Sequence, residues 1–246
     1  MAILGDSIGE IAADKAGIIK PGSTVIIAPQ TSEALAPILA ACQEKEAAPI
    51  LVGRDVTWEE GHSGTDGQRF TIRGRNGEYD LQMPLLGDHQ LENAASAVAA
   101  LEALASQGIS VNSKAMEVGF ERVNWPCRME VLSRSPLLVA DGAHNVYSID
   151  SLLKSLPKYL NYEKLILVAG FSRDKNVEGM ARALNEKADL VFATASRHPR
   201  SLTPEQVAAL FDGPVNTAET PAEALQMALD SAGRKDLVLA VGSLFL

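Results

Sequence analysis

LLVADGAHN, residues 137–145, runs four uninterrupted apolar residues into an acid, a glycine and a histidine. Leu137–Ala140 is apolar on both alternating sets of positions, as a strand is when both faces of a parallel sheet are covered. The strand ends on Asp141, and helical spacing begins at Val146. Two readings follow for the acid. Asp and Gly make an ordinary turn, or a carboxylate at the strand's end holds a ligand where open α/β sheets bind them.

The same pattern returns downstream in LILVA (165–169), LVFAT (190–194) and LVLAV (237–241). Between these runs, Val146, Ile149, Leu153 and Leu156 share one helical face, and Val177, Met180, Ala181 and Leu184 share another. PEQVAALF (204–211) and PAEALQMALDSA (221–232) each open on a proline, which suits a first helical turn. Strands alternating with helices predict right-handed βαβ crossovers and a doubly wound α/β domain.

Upstream the order is looser. Ser7 and Glu10 fit a capping box before a helix that ends at Gly17. TVIIA (24–28) and PILVG (49–53) read as strands around a helix from about Thr31 to Glu46, which Pro37 should kink or delay. FTIR and YDLQM, within residues 54–84, read as a small antiparallel insertion. A helix from about His89 to Ser106 follows, then a shorter one near Ser113–Arg122. WPCR then marks a junction at about residue 127. The chain divides accordingly into 1–127 and 128–246.

Composition narrows the function. The 246 residues are 46% hydrophobic and 22% charged, which fits a folded chain. A net charge of −9 argues against nucleic acid or an anionic membrane as a partner. Residues 1–127 hold nine Lys+Arg against seventeen Asp+Glu, and residues 128–246 hold thirteen against fourteen, so the second half is better suited to an anionic ligand. Cys42 and Cys127 make no disulfide framework and no CxxC. MAILGDSIGE lacks the regions of a signal peptide, and no apolar run has membrane-spanning length, so a cytoplasmic location is expected. GHSGTDG (61–67) is glycine-rich, yet no GxxxxGK[ST] phosphate loop occurs anywhere in the sequence.

Four stretches together carry a resemblance: LGDSIGEIAADKAGIIKPG (4–22), LLGDHQLENAASAVAALEAL (85–104), WPCRMEVL (125–132) and DGAHN (141–145). In this order and spacing they resemble the folylpolyglutamate synthases of the Mur ligase superfamily, which are often also dihydrofolate synthases. The closing GSLFL (242–246) is similar to that family's last strand. Members begin with a phosphate loop of the GTNGKGS type, and here Met1 comes just before LGDS. The resemblance therefore implies the second half of a central ATPase domain, followed by a Rossmann-like doubly wound C-terminal domain. It also implies that the chain lacks the phosphate-loop part and the family's magnesium-binding histidine. On that reading the chain alone would bind ATP weakly, be inactive and tend to self-associate, while the intact enzyme would be a monomer.

Site residues follow from the same motifs. The resemblance implies that Lys15 is carbamylated and helps organise Mg2+; its amine would need partial desolvation, which nearby isoleucines permit. Asn93 would read adenine with an amide that both donates and accepts. Arg128 would reach ATP phosphates with its guanidinium fork, although Cys127 stands where the family usually has glycine. Asp141 would accept from ribose hydroxyls, and His144 would meet an anion or a developing charge near a helix N-terminus. Val146 replaces the family's proline. Lys175, Arg197, His198 and Arg200, in FSRDKN and SRHPR, offer cations for the carboxylates of L-glutamate. Taken alone, Lys15 reads as a solvated lysine, Asn93 as a helix-surface amide, and the loop cations as solvated.

The implied reaction is ATP-dependent addition of glutamate to a folate through an acyl phosphate. Two rivals stand beside it. A peptidoglycan-type Mur ligase would show a DYAHxP-like motif in place of DGAHN, and a non-catalytic nucleotide-binding or interaction module would need no phosphate loop.

Overall fold

A computed structural model of the protein describes residues 7–244 and residue 246. The start of the LGDS motif and Phe245 of GSLFL lie outside the described residues. The chain forms two compact units. The first runs to His62 and adds Gln68–Met83 and Asp88–Arg122; the second comprises Ser63–Gly67, Pro84–Gly87 and Val123–Leu246.

The first unit opens with α1 (Ile8–Ala16), whose cap Ser7 accepts from the Glu10 amide at 3.2 Å and which ends at Gly17. β1 (Thr24–Ile27) and β2 (Ala48–Leu51) pair in parallel, joined by α2 (Ser32–Glu44). Pro37 sits inside α2 without delaying its start. Thr31 caps the first turn, and the proline removes only the bond to the carbonyl of Glu33, an exposed residue where water can take it. A three-stranded sheet follows in the order β3 (Thr57–Gly64), β4 (Gly67–Arg73), β5 (Glu78–Met83), with β4 and β5 antiparallel. GHSGTDG thus forms the end of β3 and the turn into β4. α3 (Asp88–Ala105) buries Leu91, Ala94, Ala95, Val98 and Ala99, and α4 (Ser113–Glu121) sets Phe120 edge-on to Phe70.

Glu102, buried on α3, ties the β4–β5 turn to that helix. Its carboxylate accepts from the amides of Arg75 at 2.8 Å and Asn76 at 2.9 Å and from the Tyr79 hydroxyl at 2.9 Å. Burial, with the carboxylate's help, pushes the Tyr79 phenol above its ordinary range. Glu102→Ala strands three donors in a partly solvated turn and lowers stability by about 2 kcal/mol in urea titration; an unchanged midpoint would contradict this.

Among the described residues β1 pairs only with β2, and Ile18 and Ile8 of the same unit are 79% and 49% exposed. A strand edge beside apolar surface favours chain–chain contacts. Light scattering should therefore show the weight-average mass rising with concentration; a constant monomer mass would contradict this.

The second unit holds a six-stranded sheet. Its strands are β6 (Glu130–Arg134), β7 (Leu137–Ala140), β8 (Leu165–Ala169), β9 (Leu190–Ala193), β10 (Val215–Thr217) and β11 (Leu237–Val241). The order is β10-β9-β8-β11-β7-β6, parallel except for β6, which runs antiparallel to β7 at the edge. Helices α5 (Val146–Tyr159), α6 (Val177–Asn185) and α7 (Pro204–Ala208) supply side chains to one core; α8 (Pro221–Ser231) supplies them to the other. Alternation along the strands sorts them. Val139, Leu167, Ala193 and Leu239 enter the core with Ile149, Leu156, Met180 and Leu184, while Leu138, Val168, Phe192 and Val238 enter the core with Ala224 and Ala228. The doubly wound architecture expected from the four apolar runs is present.

Three details differ from the expectation. β6 and β10 carry no continuous apolar run, because each is half exposed or very short. Gly242–Leu244 of GSLFL follow the last strand instead of forming it, since Gly242 turns the chain at φ 110° just after Val241.

Candidate functional site

The site of the second unit is built at the carboxyl end of β7. Asp141 leaves the strand with its amide bonded to the Ala240 carbonyl at 3.0 Å. Its carboxylate is committed to backbone on both sides: Oδ1 accepts from the Ala143 amide and Oδ2 from the Met129 amide, each at 2.8 Å. The acid therefore closes its own turn and also clasps the loop that carries Arg128.

The clasped loop has an unusual backbone. Cys127 and Met129 take φ of 58° and 44°, a left-handed conformation that side chains rarely adopt. A glycine at the Cys127 position would carry no such strain. Glu130 Oε2 accepts from the Cys127 amide at 2.9 Å, and the Cys127 carbonyl accepts from the Gly142 amide at 2.8 Å. Burial, with Glu130 and Asp141 adding to it and Arg128 opposing, pushes the Cys127 thiol above its ordinary range. Arg128 itself is half-buried and forms no ion pair among the described residues. It lines a cavity of about 300 Å³ with Trp125, Glu130, Arg134, Pro84 and Leu85.

His144 completes the turn. Its Nδ1 lies 2.8 Å from the Gly142 carbonyl, which can only accept, so Nδ1 carries the proton and Nε2 is left as the acceptor of the neutral ring. Asn145 then caps α5 in a reciprocal box with Ser148. Val146 is the first helical residue, a position where proline and valine both fit without loss of a helical bond, which explains the mild departure from DGAHNP.

The loops after β8 and β9 meet in an antiparallel bridge between Ser172 and Ser201. Asp174 Oδ2 holds both Arg200 Nη1 at 3.0 Å and Lys175 Nζ at 3.8 Å. Two of the expected glutamate-binding cations thus converge on one carboxylate, while Arg197 is exposed on the same loop as Arg200. The His198 ring accepts from the Arg200 amide through Nδ1 at 3.2 Å.

Two expected site residues belong to the first unit. Asn93 is exposed on α3, where its Nδ2 donates to Gln90 Oε1 at 3.2 Å, leaving its own oxygen to accept. Lys15 is exposed in this chain. The apolar enclosure that would desolvate the amine is missing: the side chain is 64% exposed, Nζ is 3.8 Å from Asp14, and Ile8 and Ile18 face solvent. Only the side chain's flank lines a small apolar hollow of about 190 Å³ with Ile19, Val25 and Ile38. Among the described residues no group of three or more His, Cys, Asp or Glu could hold a metal ion.

Sequence reasoning missed Glu130 and Asp174. Both are acids within two residues of a recognised cation, a signal that local spacing alone does not separate from surface charge. No helix among the described residues is long and apolar enough to cross a membrane.

Residues 127–244 match the family model for the Mur ligase glutamate ligase domain. The dihydrofolate synthase/folylpolyglutamate synthase of Bacillus subtilis is 30% identical over 250 residues, which cover all of this chain and 58% of the relative. A probable bifunctional folylpolyglutamate synthase/dihydropteroate synthase of Halobacterium salinarum is 34% identical over 248 residues, covering 99% of this chain and 30% of the relative. Among solved structures, Mycobacterium tuberculosis folylpolyglutamate synthase complexed with ADP and AMPPCP superposes with a TM-score of 0.88 at 28% identity, over 99% of this chain and 58% of that one. This chain thus spans between about a third and three fifths of the length of these relatives. The second unit thus matches the Mur ligase glutamate ligase domain, and along its whole length the chain is similar to folylpolyglutamate and dihydrofolate synthases.

Proposed function

We propose that the chain serves an ATP-dependent ligase that joins L-glutamate to a folate. The observation that carries this reading is the clasp between Asp141 and the Arg128 loop at the carboxyl end of a parallel sheet. In support of this reading, the clasp joins Asp141, an acid suited to ribose, to the loop of Arg128, whose guanidinium suits phosphate and forms no ion pair among the described residues. The relatives' kinship supplies the substrate class, and solved relatives are complexed with ADP.

In this reading a folate carboxylate attacks the γ-phosphorus of MgATP, and ADP departs. The acyl phosphate that remains is attacked by the amine of glutamate, an amide forms and phosphate leaves. Magnesium enters with the nucleotide as part of the substrate. Arg128 stabilises charge on the transferring phosphoryl group, where catalysis is chiefly positioning and neutralisation. His144 Nε2 accepts the proton shed by the amine. Lys175, Arg197 and Arg200 hold the glutamate carboxylates, which compete with Asp174 for the first and last of these cations. Asn93 takes the adenine edge. We read residues 1–127 as the later part of the ATPase domain and 128–246 as the ligase domain.

The test uses the product of the whole reading frame with MgATP, glutamate and a reduced folate. Mass spectrometry should show the folate extended by one or more glutamates. Extension by another amino acid in preference to glutamate, or none with a folded enzyme, would overturn the proposal.

A further inference from the structure

Two carboxylates hold the strained loop around Arg128, and one of them, Glu130, has no part in the reaction proposed above. We infer that Glu130 is a positioning residue that fixes the Cys127–Met129 segment, left-handed at both ends, and acts through Arg128. This inference rests on Arg128 being a phosphate ligand.

The geometry supports it from several sides. Cys127 and Met129 flank Arg128, both with positive φ and neither glycine nor asparagine, so the segment needs external restraint to keep its shape. The restraints are specific. The Cys127 amide is taken by Glu130 at 2.9 Å and the Met129 amide by Asp141 at 2.8 Å, while the Cys127 carbonyl receives the Gly142 amide. The Met129 side chain is 2% exposed in the sheet's main core, which anchors the segment from beneath. Glu130 is the first residue of β6 and pairs with Ala140, the residue before Asp141. The sheet therefore sets both acids in register, and each turns its carboxylate back onto an amide beside the arginine. Because Glu130 is committed to the backbone, Arg128 forms no ion pair with it and keeps its donors for a ligand.

The experiment measures ligase kinetics of Glu130→Ala, Glu130→Gln, Arg128→Ala and the Glu130→Ala/Arg128→Ala double variant in the product of the whole reading frame. It also measures amide hydrogen exchange at Cys127 and Met129. Loss of one charge-assisted bond predicts that Glu130→Ala lowers kcat roughly tenfold, with a smaller change in KM for ATP. Glu130→Gln, which keeps an accepting oxygen, recovers most of the loss. In the Arg128→Ala background, Glu130→Ala has no further effect on kcat. Exchange should quicken in Glu130→Ala at Met129 as well as Cys127, although Glu130 touches only the latter. An equal tenfold loss without Arg128, or faster exchange confined to Cys127, overturns the inference. Should the wild type show no glutamate-dependent turnover, the proposed function fails on its own account, and exchange at Met129 alone decides whether Glu130 holds the loop.

Discussion

Arg128→Ala lowers kcat for glutamate addition by about a hundred- to a thousandfold, with a much smaller change in KM for ATP. The magnitude is that of removing one donor aimed at charge that develops during reaction. The split between constants follows because Arg128 is half-buried, forms no ion pair among the described residues and sits on a backbone held through the Cys127 and Met129 amides before substrate arrives. Asp141→Ala differs in kind. In the proposed site it removes the ribose acceptor, which raises KM for ATP, and it also releases the amides of Met129 and Ala143, so kcat falls with it. Steady-state kinetics with ATP varied separates the two. Wild-type ATP kinetics in either variant would remove that residue from the nucleotide site.

Gly242→Ala has the largest expected effect on folding, about 4 kcal/mol, from a disfavoured conformation combined with overpacking. Gly242 has φ 110°, and a β-carbon there would lie 2.6 Å from the Gly170 carbonyl oxygen and 2.6 Å from the Phe171 ring. The neighbours cannot yield cheaply, because one is backbone and Phe171 is 1% exposed in the core, stacked at 6.3 Å on Phe211. The Gly242 amide also donates to the Ala143 carbonyl at 3.1 Å, so the strain passes into the DGAHN turn. Urea unfolding followed by tryptophan fluorescence and circular dichroism should show the midpoint falling. A change below about 1 kcal/mol would mean that the backbone relaxes there.

What could be read from the sequence divides along physical lines. LLVA, LILVA, LVFAT and LVLAV are legible because burial on both faces demands uninterrupted apolar runs, and such runs bounded by turns have few alternatives. EVLSR was not read as a strand because an edge strand needs one covered face only; Leu132 is 56% exposed beside the register shift between Val131 and Ser133. Asp141 was legible as a strand-end acid, whereas its grip on Met129 joins residues twelve apart and depends on tertiary placement. Glu102 shows the same limit: on a helix it reads as surface charge, yet it is buried beneath a turn 26 and 27 residues away. For Lys15 the isoleucines at helical spacing suggested enclosure, but helical spacing does not say what stands opposite, and Ile8 and Ile18 face water.

Activation of a folate carboxylate as an acyl phosphate before glutamate attacks is the step on which the proposed function turns. It is tested most directly by labelling that carboxylate with heavy oxygen and supplying MgATP and glutamate to the product of the whole reading frame. If the carboxylate attacks phosphorus and the amine then expels phosphate, one labelled oxygen crosses to the phosphate for each amide formed. Mass analysis of the released phosphate is predicted to show that transfer. Amide formation with only unlabelled phosphate would contradict it.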